Sequence, residues 1–164
     1  MSELHFEIDL TASDSHRAHC CLRLDVVPNS SVEFFLPAWT PGSYLIRDYA
    51  RHVEGWTARD ASTGAEQTSV KTAKNRFSVA TDSASIEIEY EVYGHDLTVR
   101  TADFTQDHAF FNGACLFFWP IDAPDMAATV ELMLPAGWQV ATQLERVDGP
   151  GHRFRADSLD HLMD

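Results

Sequence analysis

The sequence is short of basic residues, of cysteine and of long apolar runs, and each shortage removes a class of function. Only 12 basic side chains stand against 25 acidic ones, a formal charge of −13. A nucleic-acid backbone or an anionic membrane would be repelled, so neither is expected as a partner. No window reaches the roughly 18 uncharged apolar residues of a membrane-spanning helix. The opening Met1-Ser2-Glu3-Leu4-His5-Phe6-Glu7-Ile8-Asp9 lacks the basic-then-apolar order of a signal peptide, and a cytoplasmic location is expected. Cys20, Cys21 and Cys115 do not make a disulfide framework, because neighbours in sequence rarely reach bridge geometry. Reduced, partly buried thiols are expected instead.

Catalytic signatures are missing as well. There is no His-Glu-x-x-His, Cys-x-x-Cys, Gly-x-Ser-x-Gly, phosphate loop or dinucleotide fingerprint. The densest metal-ligand cluster is His16, His19, Cys20 and Cys21, and strand alternation divides it, His16 and Cys20 to one face and His19 and Cys21 to the other. Cys115 lies in an apolar run that would raise its pKa and leave it inert as a nucleophile. Glu87, Glu89 and Glu91 are spaced as the wet face of a strand, which explains them without acid–base chemistry. Trp39, Trp56, Trp119 and Trp138 would form a carbohydrate platform only if exposed together, and core or edge packing is the commoner fate of tryptophan.

What is present is period-two patterning. The 164 residues fit one domain able to bury a real core. Leu4, Phe6, Ile8 and Leu10 alternate with polar residues and predict a strand over 3–10. A polar loop at 11–16 leads to a second strand, carried by Ala18, Cys20, Leu22, Leu24 and Val26. Val32, Phe34 and Leu36 predict a third. Further strands are expected at 56–60, 67–74, 76–80 and 86–93, with a reverse turn at 61–65. Residues 94–113 read as a long loop with one or two short strands, the kind of irregular segment that often carries function. The run 114–119 is short enough for a strand buried on both faces. Residues 129–134 and 138–142, joined by Pro135-Ala136-Gly137, read as a hairpin, and a last strand is expected around 152–155. The fold class is therefore all-β and antiparallel with little helix; pattern alone does not separate a β-sandwich from a twisted, saddle-like sheet.

Residues 37–53 stand apart from this patterning. Thr40-Pro41-Gly42-Ser43 reads as a tight turn, since Pro41 presets its own φ and Gly42 supplies a positive φ at the next position. It aims Tyr44, Arg47, Asp48, Tyr49 and Arg51. The segment 44–53 fits either a helical turn or a strand, and mostly extended structure is favoured.

The stretch from Leu36 to Val53, Leu-Pro-Ala-Trp-Thr-Pro-Gly-Ser-Tyr-Leu-Ile-Arg-Asp-Tyr-Ala-Arg-His-Val, closely resembles the signature near the start of the glycyl aminopeptidase family. Members are zinc metallopeptidases with a thermolysin-like catalytic domain and a C-terminal PDZ domain. Tyr90 to Arg100, Phe110-Phe111-Asn112-Gly113 and Asp157 to Asp164 are similar to family segments in the same order. The resemblance implies that residues 1–156 are the N-terminal β domain and 157–164 the start of the connection to a catalytic domain. It implies no cofactor in this chain, zinc in the parent protein's catalytic domain, and as partners that domain of the same polypeptide and the parent's peptide substrate. Such a domain packs on the catalytic domain and helps wall the substrate cleft near the peptide amino terminus. The substrate-cleft or interface candidates are Tyr44, Arg47, Asp48 and Arg51, with Gln106, Asp107, Asn112 and an exposed Phe111 in the 94–113 loop. An interface left bare would form an apolar patch and favour self-association. The alternative is a stand-alone β-sandwich module binding peptide or carbohydrate.

Overall fold

The computed structural model describes residues 3–163. Its strands in chain order are β1 (Leu4–Asp9), β2 (Arg17–Asp25), β3 (Ser30–Phe35), β4 (Val53–Asp60), β5 (Thr68–Ala73), β6 (Arg76–Thr81) and β7 (Ser85–Tyr93). They continue as β8 (Ala102–Phe104), β9 (Ala109–Phe111), β10 (Trp119–Pro120), β11 (Ala128–Met133), β12 (Glu145–Arg146) and β13 (His152–Ala156). A short helix, α1 (Leu159–Met163), follows.

Two sheets form a sandwich, one of the two arrangements that the all-β pattern left open. The larger runs β12-β13-β11-β1-β2-β7-β4 and the smaller β10-β3-β6-β5, while β8 and β9 make a separate ribbon. Alternation decides which side chains meet between the sheets. Leu4, Phe6 and Ile8 of β1, Cys20, Leu22 and Leu24 of β2, and Ile86, Ile88, Tyr90 and Val92 of β7 are buried, and Phe34, Phe77 and Val79 face them from the smaller sheet. At about 25 cal/mol per Å² of apolar surface, this layer is the main source of stability.

The outer face of the large sheet carries the three glutamates of β7, each opposite an arginine or histidine. Arg23 Nε donates to Glu87 Oε2 at 2.6 Å, His19 Nδ1 lies 3.1 Å from Glu91, and Arg59 lies 3.9 Å from Glu89. The wet-face reading of these carboxylates holds, and partly exposed pairs of this kind contribute little individually.

One irregularity in β4 places an aromatic residue. Pairing with β7 shifts register between Glu54 and Thr57, and Gly55 adopts φ 66°, the signature of a bulge with glycine in the left-handed region. The extra residue aims Trp56 into the sandwich, where it stacks on Phe77 (4.1 Å) and meets Phe118 edge-on (4.7 Å).

Four expectations are corrected. Residues 114–119 are not a strand: a 3-10 turn at Gly113–Cys115 begins the segment, and only Trp119–Pro120 pairs with β3. An apolar run without a period fits a buried turn as well as a strand. The hairpin 129–134/138–142 does not form, because β11 is flanked by β1 and β13 and leaves residues 138–142 no edge. The β1–β11 pairing is parallel, so the large sheet is not wholly antiparallel. The segment 44–53 is not mostly extended: residues 44–48 are irregular and Tyr49–His52 form a 3-10 turn before β4 begins at Val53. Alternation does divide the His16–Cys21 cluster: His19 and Cys21 share the outer face of β2 and Cys20 is buried on the other, while His16 stands before the strand with φ 59°.

The reverse turn after β4 is held by one carboxylate. Asp60 Oδ1 accepts from the Ser62 amide (2.7 Å), the Ser62 hydroxyl (2.6 Å) and the Thr63 amide (2.9 Å), and Oδ2 accepts from the Ser83 hydroxyl (2.7 Å). The Ser62 and Ser83 hydroxyls, with those amides, hold the Asp60 carboxyl well below the usual carboxylate range. A group whose folded pKa is depressed contributes fully above its unfolded pKa, about 4, and loses that contribution as pH falls through the folded value. Asp60→Ala is therefore expected to melt below wild type at neutral pH, with the gap narrowing as the pH drops below about 4. Parallel melting curves of the two chains down to acid pH check this.

Candidate functional site

The corner at Thr40–Ser43 forms as its chemistry dictates. Gly42 has φ 77° and the Ser43 amide donates to the Thr40 carbonyl at 3.1 Å. Trp39 Nε1 donates to the Ser43 carbonyl (2.7 Å), and the Arg47 amide returns to the Ala38 carbonyl (2.6 Å). These bonds close residues 38–47 into a compact loop and push its tip outward. Tyr44 is fully exposed, Leu45 62% and Ile46 78%. Asp48 holds Lys74 at 3.6 Å, and Arg51 Nε donates to His52 Nε2 at 2.9 Å. Burial and the Arg51 charge push the His52 pKa down, which keeps that nitrogen an acceptor.

Across from this loop stands the start of the 94–113 segment, and the two enclose a cleft of about 360 Å³ lined by Leu45–Asp48, Arg51 and His52 on one side and Tyr93–Asp96 and Thr101 on the other. Cys115 closes its end, and burial pushes that thiol up to about 12, neutral at physiological pH. Two polar atoms in this region are buried with no hydrogen-bond partner, Arg47 Nε and Tyr49 Oη. Tyr49 is 5% exposed, and burial raises its phenol pKa. Thr40 tempers that shift, but no hydrogen bond of ordinary geometry closes between them. An orphan hydroxyl costs its desolvation, so Tyr49→Phe is expected to stabilise the isolated chain by about 1 kcal/mol. Thermal or urea unfolding of the two chains reads the difference directly.

The other site candidates fall elsewhere. Gln106 and Asp107 are exposed at the tip of the β8–β9 ribbon. Phe111 is half-buried rather than exposed, packed against Phe104 and Phe117 with ring centroids near 6 Å (6.3 and 6.2 Å), and its neighbour Phe110 takes the exposed position. Asn112 serves the backbone, because Oδ1 accepts from the Ala114 amide at 3.0 Å and Nδ2 donates to the Met163 carbonyl at 3.3 Å. Phe111 and Asn112 line a second cleft of about 410 Å³, whose far wall is Trp138–Leu144. The tryptophans do not share a platform: Trp119 is wholly buried, Trp56 lies in the aromatic core, Trp39 is tied into its loop and Trp138 lines the second cleft.

One polar cluster had no usable signal in the sequence. Asp103, 6% exposed, meets His108 Nε2 at 2.9 Å and His95 Nδ1 at 3.3 Å, and His16 stacks on His95 at 3.9 Å. Only the aspartate inside Ala102-Asp103-Phe104, a buried apolar ribbon, hints at it. Thr105 Oγ1 lies 3.1 Å from His108 Nδ1, giving a hydroxyl–imidazole–carboxylate line. That hydroxyl also accepts the His108 and Asp107 amides, so it closes its own turn rather than serving as a nucleophile. Among the described residues no three His, Cys, Asp or Glu side chains converge as a metal would need. Each Asp103 oxygen is already bound to an imidazole, so this cluster does not suit zinc.

The fold and its clefts define a β-sandwich domain in which, among the described residues, no nucleophile–base pair or metal set is assembled. Comparison with known families places it: residues 5–164 match the Peptidase M61 N-terminal domain, and the chain belongs to that family. It is similar to the crystal structure of an aminopeptidase N family protein from Idiomarina loihiensis, with a TM-score of 0.90 and 32% identity over 98% of this chain, and it spans 28% of that protein's length. An M1 zinc metallopeptidase from Deinococcus radiodurans aligns at a TM-score of 0.41 and 15% identity, over 93% of this chain and 37% of the other. No curated protein matches the chain.

Proposed function

We propose that this chain is the noncatalytic N-terminal β domain of a zinc aminopeptidase, that it packs on the catalytic part of the same polypeptide, and that it helps wall the substrate cleft near the peptide amino terminus. The observation that carries this is the tip Tyr44-Leu45-Ile46, three large side chains held fully or largely in water by a hydrogen-bonded loop at the rim of a cleft. Exposed apolar side chains gathered in one place are the mark of a surface that a partner covers. Membership of a peptidase N-terminal family, at little more than a quarter of a relative's length, is consistent with a catalytic part of the same polypeptide as that partner. Zinc is expected in the catalytic part, as the resemblance to zinc metallopeptidases implies. Tyr44, Arg47, Asp48 and Arg51 belong to the joint or to the substrate wall beside it, and Gln106 and Asp107 reach outward from the ribbon; the protein works in the cytoplasm.

The longer polypeptide is the test. Its coding sequence is expected to continue into His-Glu-x-x-His with a later glutamate, and the purified protein to hold zinc and release amino-terminal residues from short peptides. A stop codon directly after residue 164 would instead favour a stand-alone binding module.

A further inference from the structure

Basic side chains are outnumbered two to one by carboxylates here, 12 against 25, so an arginine without a carboxylate partner is informative. Of the 12 basic side chains, Arg17, Arg23, Arg59, Lys74, Arg76, Arg153 and Arg155 each reach a carboxylate within 4.0 Å. Among the described residues five do not: Arg47, Arg51, Lys71, Arg100 and Arg146. Lys71 covers the Phe77 ring at 5.3 Å and Arg146 donates to the Gly151 carbonyl at 3.1 Å. The remaining three gather around one cleft. Arg47 and Arg51 line it, and Arg100 lies beside it, its carbonyl facing the Cys115 thiol at 3.8 Å and its charge acting on the Tyr49 phenol.

The vacancies there are those of donors. Arg47 Nε is buried without an acceptor, and a guanidinium can only donate. Tyr49 Oη, on a side chain only 5% exposed, is equally unpartnered among the described residues and lines the same cleft. Two carboxylates also line the cleft: Asp48 is taken up by Lys74, and Asp96 is exposed and pairs with neither arginine. Left alone, a buried charged donor without an acceptor is costly. Leu45 and Ile46 form the apolar rim.

We infer that this cleft receives a carboxylate carried on an apolar protein surface, an acidic side chain of the catalytic part of the same polypeptide seated on Arg47 and Tyr49. The inference rests on the docking proposed above and supplies its chemistry. The planar guanidinium fork matches a carboxylate, and phenol and guanidinium together satisfy both of its oxygens. The chain's net charge of −13 disfavours a polyanion, whereas a single carboxylate flanked by apolar groups suits both the arginines and the rim.

The probe is butyrate, a carboxylate with a short apolar tail, titrated into the nitrogen-15-labelled 164-residue chain with sodium chloride and butan-1-ol as controls for charge and tail. Butyrate is expected to shift the Arg47 Nε–H resonance and the amides of residues 47–52 saturably, with affinity in the range of about 1–50 mM, and the controls not to. Arg47→Gln should weaken this about tenfold, and Tyr49→Phe, which removes only an orphan hydroxyl, about threefold with the fold intact. Equal shifts with chloride, shifts scattered over the surface, unchanged binding in Arg47→Gln, or no shift at all would each overturn the site. In the longer polypeptide, Arg47→Gln should loosen docking, read as faster proteolysis after residue 156 that rises further with salt in wild type but not in the variant. Unchanged docking there would sink the carboxylate site while leaving the joint standing. Butyrate binding without any docking would leave a site for free carboxylates and remove the proposed occupant.

Discussion

Gly113→Ala will unseat the C-terminal helix and lower the melting temperature by roughly 10 °C, the largest loss of stability expected from any single methyl group in this chain. A Cβ at Gly113 would run into the Leu162 carbonyl oxygen and lie 3.0 Å from its carbon, contacts with backbone that no rotamer change relieves. Two responses are open to the structure. If α1 stays, the overpacked turn is strained by about 1–3 kcal/mol. If α1 lifts away, Leu159 and Leu162, each 5% exposed, leave the core at about 1.5–3 kcal/mol apiece, and Asn112 loses its bond to the Met163 carbonyl. Both routes converge on about 3 kcal/mol. Limited proteolysis separates them, since cutting within 157–163 accelerates only if the helix detaches. A variant melting with wild type would mean that α1 is not seated on Gly113.

The same residue shows where sequence stops being informative. Alternation alone located β1, β2 and β7, because each has one face against the core and one in water, and the turn at Thr40–Ser43 was legible because Pro41 and Gly42 fix it locally. Ala114 to Trp119 offered neither cue. What makes it a 3-10 turn is the cap from Asn112 and the close approach of Leu162 to Gly113, a contact between residues far apart in sequence. Residues 138–142 failed for a related reason: their pattern suits a strand, yet β11 already has β1 and β13 on its two edges, and a local pattern cannot count occupied edges.

The candidate site divides in the same way. Arg47, Asp48 and Arg51 line one cleft because one stretch of chain carries them, while Tyr44 stands exposed at the loop tip. Their partner wall was only half readable, because the 94–113 segment delivers its two ends to different clefts. Its fixed points are Gly94, whose added Cβ would lie 2.8 Å from Ala102, and Asp103 gripping His95 and His108. None of these spacings matches a motif, so the cluster that shapes the loop was invisible until the ribbon was folded.

Charging the tip of the 38–47 loop separates fold from function. Leu45→Asp with Ile46→Asp is expected to leave the melting temperature of the isolated chain within about 2 °C of wild type, because side chains this exposed contribute little to folding. The same pair should abolish any self-association of the isolated chain and its binding of apolar dyes, since they remove the apolar tip and add two charges to a chain already at −13. In the longer polypeptide the effect should be large. Two aliphatic side chains that dock contribute about 1.5–3 kcal/mol each when fully buried, and burying two unpaired carboxylates in their place costs more. Partial burial still puts the weakening of domain docking at roughly 100-fold or more, on the order of 3 kcal/mol. The readout is peptidase activity together with susceptibility to proteolysis after residue 156. Lost activity with unchanged docking would assign Leu45 and Ile46 to the substrate wall, and unchanged activity and docking together would show that the partner covers some other face. Carbohydrate or peptide bound by the isolated wild-type chain at this tip, and lost in the double variant, would turn the reading towards a stand-alone module.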